Sequence, residues 1–293
     1  MQAYVINLAR STDRRKHIIT QLRRTGIPYE IINAVDGREL DANDNKLIDP
    51  VVLSAESTEP ARGQPDYNEN AAYWQRPRLE NMCRVGCALS HLSVYRRVLV
   101  KGLDHALVLE DDTQLPRDLA RLAEAVGEQM TGAEVVLLHF TSAGPCRVTA
   151  KAAVKLPSSR LLVDPVDIQQ LSSAEAYMIT REACERMARV VLPVRVPSDI
   201  WSFFCREGAI SRIRCVVPMA VDVSAKFRTT MDYYTPGSFQ AVLRERAATV
   251  PLAQDLLGLR RRRTFRNNGS IGSIQFVDEH LGVPPETGTM NGE

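Results

Sequence analysis

A strand, a helix and a second strand follow one another within the first thirty-four residues, and that order leaves few folds open. Ala3 to Leu8 is an apolar run containing the β-branched pair Val5-Ile6. Ser11 stands where a helix N-cap belongs, and Ile18, Ile19 and Leu22 put an apolar stripe on the helix that follows. Gly26 and Pro28 stop that helix, and Tyr29 to Ala34 reads as the second strand. A strand-helix-strand crossover joins parallel strands, so the pattern predicts an α/β sheet flanked by helices.

The rest of the chain extends that plan. Residues 41–81 are polar and irregular and read as an insertion, a candidate acceptor loop. Leu89, Leu92, Val98 and Leu99 mark a helix from about Val85, ended by Gly102. Ala106 to Leu109 is short, wholly apolar and bounded by charge, as a strand buried on both faces would be. Pro116 opens a helix through about Met130, and Val135 to Leu138 is a further strand. Residues 142–172 give no clear pattern; beyond them, Ala174–Ile179 reads as a strand, Arg181–Val191 as a helix and Cys215–Val217 as a last strand. We expect one domain over 1–235, with 236–293 a helical, basic C-terminal tail.

The 37 basic and 35 acidic residues nearly cancel, which argues against a nucleic-acid partner. No apolar stretch approaches the roughly 20 residues a membrane-spanning helix needs. The opening MQAYVINLARS lacks a basic segment followed by a long apolar one, so a cytoplasmic protein is expected. Arg260 to Arg263, beside Leu259 and Phe265, raise a peripheral contact with an anionic inner-leaflet surface, against a solvated tail. The cysteines at 83, 87, 146, 184, 205 and 215 form no CxxC pair and read as reduced, mostly core thiols. Cys83 and Cys87 share a helix face, but a metal site there would need two further ligands.

Two features carry chemistry. Glu110, Asp111 and Asp112 follow directly on a buried strand, where open α/β sheets bind ligands. Such a concentration of negative charge calls for a cation, and hard oxygen ligands suit Mg²⁺ or Mn²⁺. The plainer reading is that Asp112 or Thr113 caps the helix opened by Pro116. The turn after the first strand, Asn7 to Arg15, offers a helix N-terminus and guanidinium groups to an anion, or is simply a solvated basic turn. It is not glycine-rich, which excludes a Walker loop or a dinucleotide fingerprint.

The order V-I-N-L-x-R-S-x-D-R-R, N-A-V-D-G (33–37), G-C-A-L-S-H (86–91), V-L-E-D-D (108–112) and A-Y-M-I-T (176–180) resembles glycosyltransferase family 25 over roughly residues 3–225. That family includes lipopolysaccharide and procollagen galactosyltransferases. The resemblance implies a GT-A-like, mostly parallel sheet, a UDP-sugar donor (usually UDP-galactose), a divalent metal and inversion at the anomeric carbon. Asn7, Leu8, Arg14 and Arg15 would face the nucleotide. Ala34, Asp36 and Gly37 would lie near the uridine and ribose, and Ser90 and His91 would line the donor pocket. Glu110 and Asp112 would hold the metal, with Asp111 beside the donor. Pro197-Ser198-Asp199 matches a later acidic element whose carboxylate would take the acceptor's proton. For His91 the competing reading is a satisfied structural histidine, and for Asp199 a cap on the helix beginning near Ile200.

Two departures bear on acceptor and sugar choice. Ser172-Ser173-Ala174-Glu175 lacks a glycine expected before Ala176-Tyr177, and Arg84-Val85 stands where an acid commonly precedes Gly86. The expected activity is transfer of a hexose, galactose by the resemblance, to a saccharide or glycolipid acceptor such as a lipopolysaccharide core. The alternatives are a Rossmann-like methyltransferase, disfavoured by the missing glycine-rich turn, and an inactive nucleotide-sugar-binding scaffold.

Overall fold

The computed structural model describes residues 1–50, 52, 74, 78–142, 146–224, 226–227, 264–266 and 271–277. The elements run β1 (Ala3–Asn7), α1 (Thr12–Thr25), β2 (Tyr29–Asn33), α2 (Arg78–Val100), β3 (His105–Glu110), β4 (Thr113–Gln114), α3 (Leu119–Gly127) and β5 (Glu134–Leu137). They continue β6 (Thr141–Ser142), β7 (Cys146–Leu156), β8 (Arg160–Pro165), β9 (Leu171–Ser172), β10 (Ala176–Thr180), α4 (Arg181–Val190) and α5 (Trp201–Arg206). Last come β11 (Arg212–Val217), β12 (Asp222–Val223), β13 (Thr264–Arg266) and β14 (Ile271–Val277).

One sheet has the order β13-β14-β7-β8-β11-β5-β10-β3-β1-β2. The expected crossover pairs β1 with β2 in parallel, Ala3 opposite Tyr29, and β3 adds in parallel on the other side. β2, β1, β3, β5, β11, β7 and β14 run one way; β10, β8 and β13 run against them. The sheet is therefore mostly parallel, as expected, with single reversed strands.

Side chains alternate through the sheet and divide the core in two. Tyr4, Ile6, Ala106, Val108, Tyr177 and Ile179 join the cluster that includes Val85 and Leu92 of α2, Met187 of α4 and Trp201 of α5. Ala3, Val5, Leu107, Leu109, Ala176 and Met178 join Ile18 and Leu22 of α1 and Leu119, Leu122 and Val126 of α3. Helices thus cover both faces, which explains why the central strands read as continuous apolar runs.

Four expectations need correcting. Helix α2 begins at Arg78, not Val85, because its first turns are polar in sequence; Asn81 is nevertheless buried, its amide donating to the Trp74 carbonyl at 2.6 Å. The stretch 41–81 is not wholly outside the core: Ile48, Val52 and Trp74 are buried, and the Trp74 indole donates to Arg195 O at 2.8 Å. The unreadable stretch 142–172 contains the long β7–β8 hairpin. Its turn places Ser158 and Ser159 at φ 57°, a conformation usually signalled by Asn or Gly. The described residues of the expected helical tail, β13 and β14, are strands, with β14 parallel to β7. Arg260 to Arg263 lie outside the described residues. Among the described residues no helix is long and apolar enough to cross a membrane.

Candidate active site

The carboxyl edge of β1 and β3 gathers most of the residues singled out above. In α1, Arg14, Ile18 and Leu22 are spaced four apart and form its buried face, so the helix that packs the sheet also turns one guanidinium inward. Arg14 Nη1 donates to Asp111 Oδ1 at 2.8 Å, and its Nη2 lies 3.1 Å from Asp112 Oδ2. Asn7 Nδ2 donates to Asp111 Oδ2 at 2.6 Å, so both Asp111 oxygens are held. Arg15, one position on, is exposed. Ser11 occupies the N-cap position without a side-chain cap; its carbonyl instead accepts from Asn7 Nδ2 at 3.2 Å. Leu8 closes the turn through its carbonyl, which accepts from Ser11 N at 2.8 Å.

The acids are crowded. Burial, then the neighbouring Asp112 and Asp111 charges, push the Glu110 carboxyl up to about 8, with Arg14 opposing. Burial raises Asp112 to about 6 against the pull of Arg14, with Asp111 and Glu175 adding to the rise. Glu175 is itself raised, by burial and then by Glu110. Asp112 Oδ1 is buried without a hydrogen-bond partner, as is Asn7 Oδ1. Asp112 caps no helix: β4 follows it, and α3 begins only at Leu119 with Asp118 in the cap position. That removes the plainer reading of the acidic triplet.

The turn after β2 packs against α2 through two glycines. A Cβ on Gly37 would lie 2.0 Å from Met82 O, and one on Gly86 would lie 2.6 Å from Val35 O. Ser90 completes the junction, its Oγ accepting from Val35 N at 2.8 Å and donating to Gly86 O at 2.6 Å. The two sequence motifs therefore meet as one contact. Gly86→Ala should destabilise the protein by about 1–3 kcal/mol, the usual cost of overpacking, because the obstruction is backbone. Urea unfolding measures it, and an unchanged midpoint would refute the contact. Beside this junction, Ala34 N donates to Asn7 O at 2.9 Å, and Asp36 pairs with Arg10 and accepts from Arg38 N at 3.2 Å.

The opposite flank of α2 points Cys87 and His91 at Glu110. His91 Nε2 is 3.6 Å from Glu110 Oε1, and Cys87 Sγ is 3.9 Å from the same oxygen. His91 Nδ1 is 2.8 Å from the Tyr177 hydroxyl, which is 3.1 Å from that of Tyr95. Burial, only partly opposed by Asp199 and Glu175, holds the His91 ring neutral, pushing it down to about 4.

Asp199 reaches this edge from the other side. It does not cap α5, whose N-cap is Ile200 without a side-chain bond; its Oδ2 accepts from Ser173 N at 3.2 Å. Ser173 takes φ 90°, the left-handed region that favours glycine, in the segment where a glycine was expected. Its hydroxyl bonds Glu175, and its carbonyl accepts from the Trp201 indole at 3.0 Å.

Sequence reasoning missed Glu175, Ser173, Cys87 and Phe227 as neighbours of the site. Glu175 arrives because β10 is antiparallel to β3 and so starts at the edge where β3 ends; its carbonyl accepts from Glu110 N at 2.8 Å. Phe227 returns through β12, which pairs with β4, and Ser224 N donates to Asp112 O at 2.7 Å. The Arg14 guanidinium lies 5.6 Å from the Phe227 ring centroid, cation-π range. Asp222 is exposed on β12. Glu175, Ser173 and Phe227 carry no local sequence signal, since their placement depends on strand direction, whereas the one-turn spacing of Cys87 to His91 on α2 is a signal that could have found it.

Comparison with known proteins gives the chain's relatives. Procollagen galactosyltransferase 2 of Mus musculus is 30% identical over 141 residues, 47% of this chain and 20% of that protein. Inactive glycosyltransferase 25 family member 3 of Homo sapiens is 29% identical over 153 residues, 51% of this chain and 23% of that protein. The chain thus spans about a fifth of the length of the curated relatives it matches. Among solved structures, apo UDP-glucose pyrophosphorylase aligns at TM-score 0.36 and 9% identity, covering 73% of this chain and 89% of that one, a likeness too slight to build on. The family described as "Glycosyltransferase family 25 (LPS biosynthesis protein)" matches residues 1–201. Matched over more than half its length, the chain belongs to glycosyltransferase family 25.

Proposed function

We propose that the protein is an active, metal-dependent hexosyltransferase that moves a sugar, galactose first, from a UDP-sugar to a saccharide acceptor with inversion. The observation that carries this reading is the unpartnered, buried Asp112 Oδ1 within a carboxylate cluster that Arg14 alone does not neutralise. Oxygen donors of this kind fit Mg²⁺ or Mn²⁺. When bound, such a cation offsets the charge that develops on a nucleoside diphosphate leaving group.

The chain's own residues have the remaining tasks. Asn7 and Arg14 fix Asp111 and leave Asp112 and Glu110 for the cation. Ala34, Asp36 and Gly37, at the turn after β2, would meet the uridine and ribose. Asp199 would take the proton from the acceptor hydroxyl as it attacks the anomeric carbon from the face opposite the diphosphate. A lipopolysaccharide-core saccharide is the first acceptor to test, on the family's description. An inactive, donor-binding protein is the second reading, favoured by the relatives named inactive.

A UDP-release assay over a panel of UDP-sugars, with Mn²⁺ and with chelator, tests the reading. Metal-dependent UDP release is expected, and its absence with every donor and acceptor would leave the inactive reading. Thermal shifts with UDP and Mn²⁺, against S-adenosylmethionine, add a pH signature. Carboxyls that resist ionisation favour the metal-free fold at low pH, and that contribution is lost as pH rises through about 6 for Asp112 and about 8 for Glu110. His91 works oppositely, its contribution lost only as pH falls below its ordinary value of 6.5. Between those ranges the carboxyls dominate, so the shift caused by Mn²⁺ and UDP should be larger at pH 8 than at pH 6.5. A shift independent of pH would count against Glu110 and Asp112 as cation ligands.

A further inference from the structure

Cys87 and His91 are one helical turn apart on α2, so their side chains share a face, and that face meets the end of β3. Cys87 Sγ, His91 Nε2 and a Glu110 carboxylate oxygen all lie within 4.8 Å of one another. Two of the separations, 3.6 Å and 3.9 Å, are close to the spacing between ligands on a tetrahedral zinc ion, about 3.3–3.8 Å from the usual bond lengths. The 3.6 Å gap is too long for a hydrogen bond. His91 Nε2 is accordingly left without a partner in a residue only 1% exposed. An unpaired ring nitrogen so deeply buried is costly and needs an explanation.

We propose that Cys87, His91 and Glu110 form a binding site for a borderline-soft divalent cation of the Zn²⁺ class. The ligand set separates it from the all-oxygen site around Asp112, since a thiolate and an imidazole select zinc over magnesium or manganese. Supporting contacts are in place. The Tyr177 hydroxyl, within 2.8 Å of His91 Nδ1, fixes the ring so that Nε2 presents its lone pair inward. The Ser198 hydroxyl, 3.3 Å from Cys87 Sγ, is placed to donate to a thiolate. Glu110 is 25% exposed at its side chain and provides the open side, where water completes the tetrahedron. Binding converts the Cys87 thiol to thiolate and releases its proton to solvent. Glu110 is shared with the nucleotide-metal site, so a Zn²⁺ ion here withdraws one carboxylate from it and lowers turnover. That last consequence rests on the function proposed above; the site does not.

Cobalt reports the site directly. Co²⁺ titrated into the full chain without nucleotide should produce a thiolate-to-cobalt charge-transfer band that saturates near one equivalent and disappears when Zn²⁺ is added. Cys87→Ser should abolish the band and weaken Zn²⁺ binding by at least about a hundredfold, while Cys205→Ser keeps both. A wild-type protein without the band, or a band that survives Cys87→Ser, overturns the proposal. Because the readout is spectroscopic, it stands even if no donor supports UDP release.

Discussion

Asp112→Asn should cut turnover by roughly a thousandfold, since a cation's clamp on a leaving group is worth several kcal/mol and each 1.4 kcal/mol is tenfold. The side-chain shape is kept, so the protein should fold with its Arg14 contact weakened from an ion pair to a hydrogen bond with a neutral amide. Three oxygens of Asp112 matter: Oδ2 pairs with Arg14 Nη2, the backbone carbonyl accepts from Ser224 N, and Oδ1 has no partner. Only the third is spare, and asparagine turned to keep its oxygen on Arg14 would present an amide nitrogen there, which cannot bind a cation. Turnover, the Mn²⁺ concentration at half-maximal rate and the urea midpoint should be measured together. Loss of turnover with a preserved midpoint is expected; near-normal turnover, or full activity of the wild type in excess chelator, would remove the metal role.

Asp199→Asn should lower turnover by about a hundredfold or more while leaving UDP and Mn²⁺ affinity little changed, the pattern for loss of a general base. The competing role is no longer a helix cap, because α5 draws no side-chain bond at its N-cap. What Asp199 visibly does is hold Ser173 N, beside a backbone at φ 90°. An asparagine oxygen accepts that same hydrogen bond but takes no proton at neutral pH, so the substitution separates positioning from chemistry. If the Asn variant turns over normally, Asp199 positions the Ser173 turn, and Asp222, exposed on β12, becomes the next acid to test.

Much of this architecture was legible in the chain. The apolar runs Ala3–Leu8 and Ala106–Leu109 became β1 and β3 because both faces of those strands are covered, and a run without alternation says so. The acidic triplet sits where such strands end, and the inward turn of Arg14 follows from its spacing to Ile18 and Leu22. The remainder was hidden for physical reasons. The β7–β8 hairpin turns on two serines in a glycine-like conformation, so the Asn or Gly that usually marks such a turn is missing. Trp74 and Ile48 belong to short apolar pieces, Ala71-Ala72-Tyr73-Trp74 and Leu47-Ile48, too brief within their polar stretches to show a period. Ser90 and Gly37 read as pocket residues yet are also buried at a glycine-to-backbone junction, a role visible only once α2 and the β2 turn are in contact.

The reversed strand β10 has a consequence for how finely this sheet edge can be furnished. In an all-parallel sheet the carboxyl edge receives only chain that is leaving a strand, and every such segment is a loop free to drift. β10 instead delivers chain that is about to be locked: Ala176 O already accepts from Leu138 N and His139 N at 3.0 and 3.1 Å, while Glu175 O holds Glu110 N. Glu175 is therefore placed with the tolerance of a pleated ladder rather than that of a surface loop, and side chains held on such scaffolds keep their aim better than those on free connections. A substitution anywhere along Tyr177, Met178 or Ile179 that slips the register by one residue would swap the faces of all three. It would also move Glu175 off the edge, so the accuracy of one carboxylate is written into the packing of a strand lying entirely behind it.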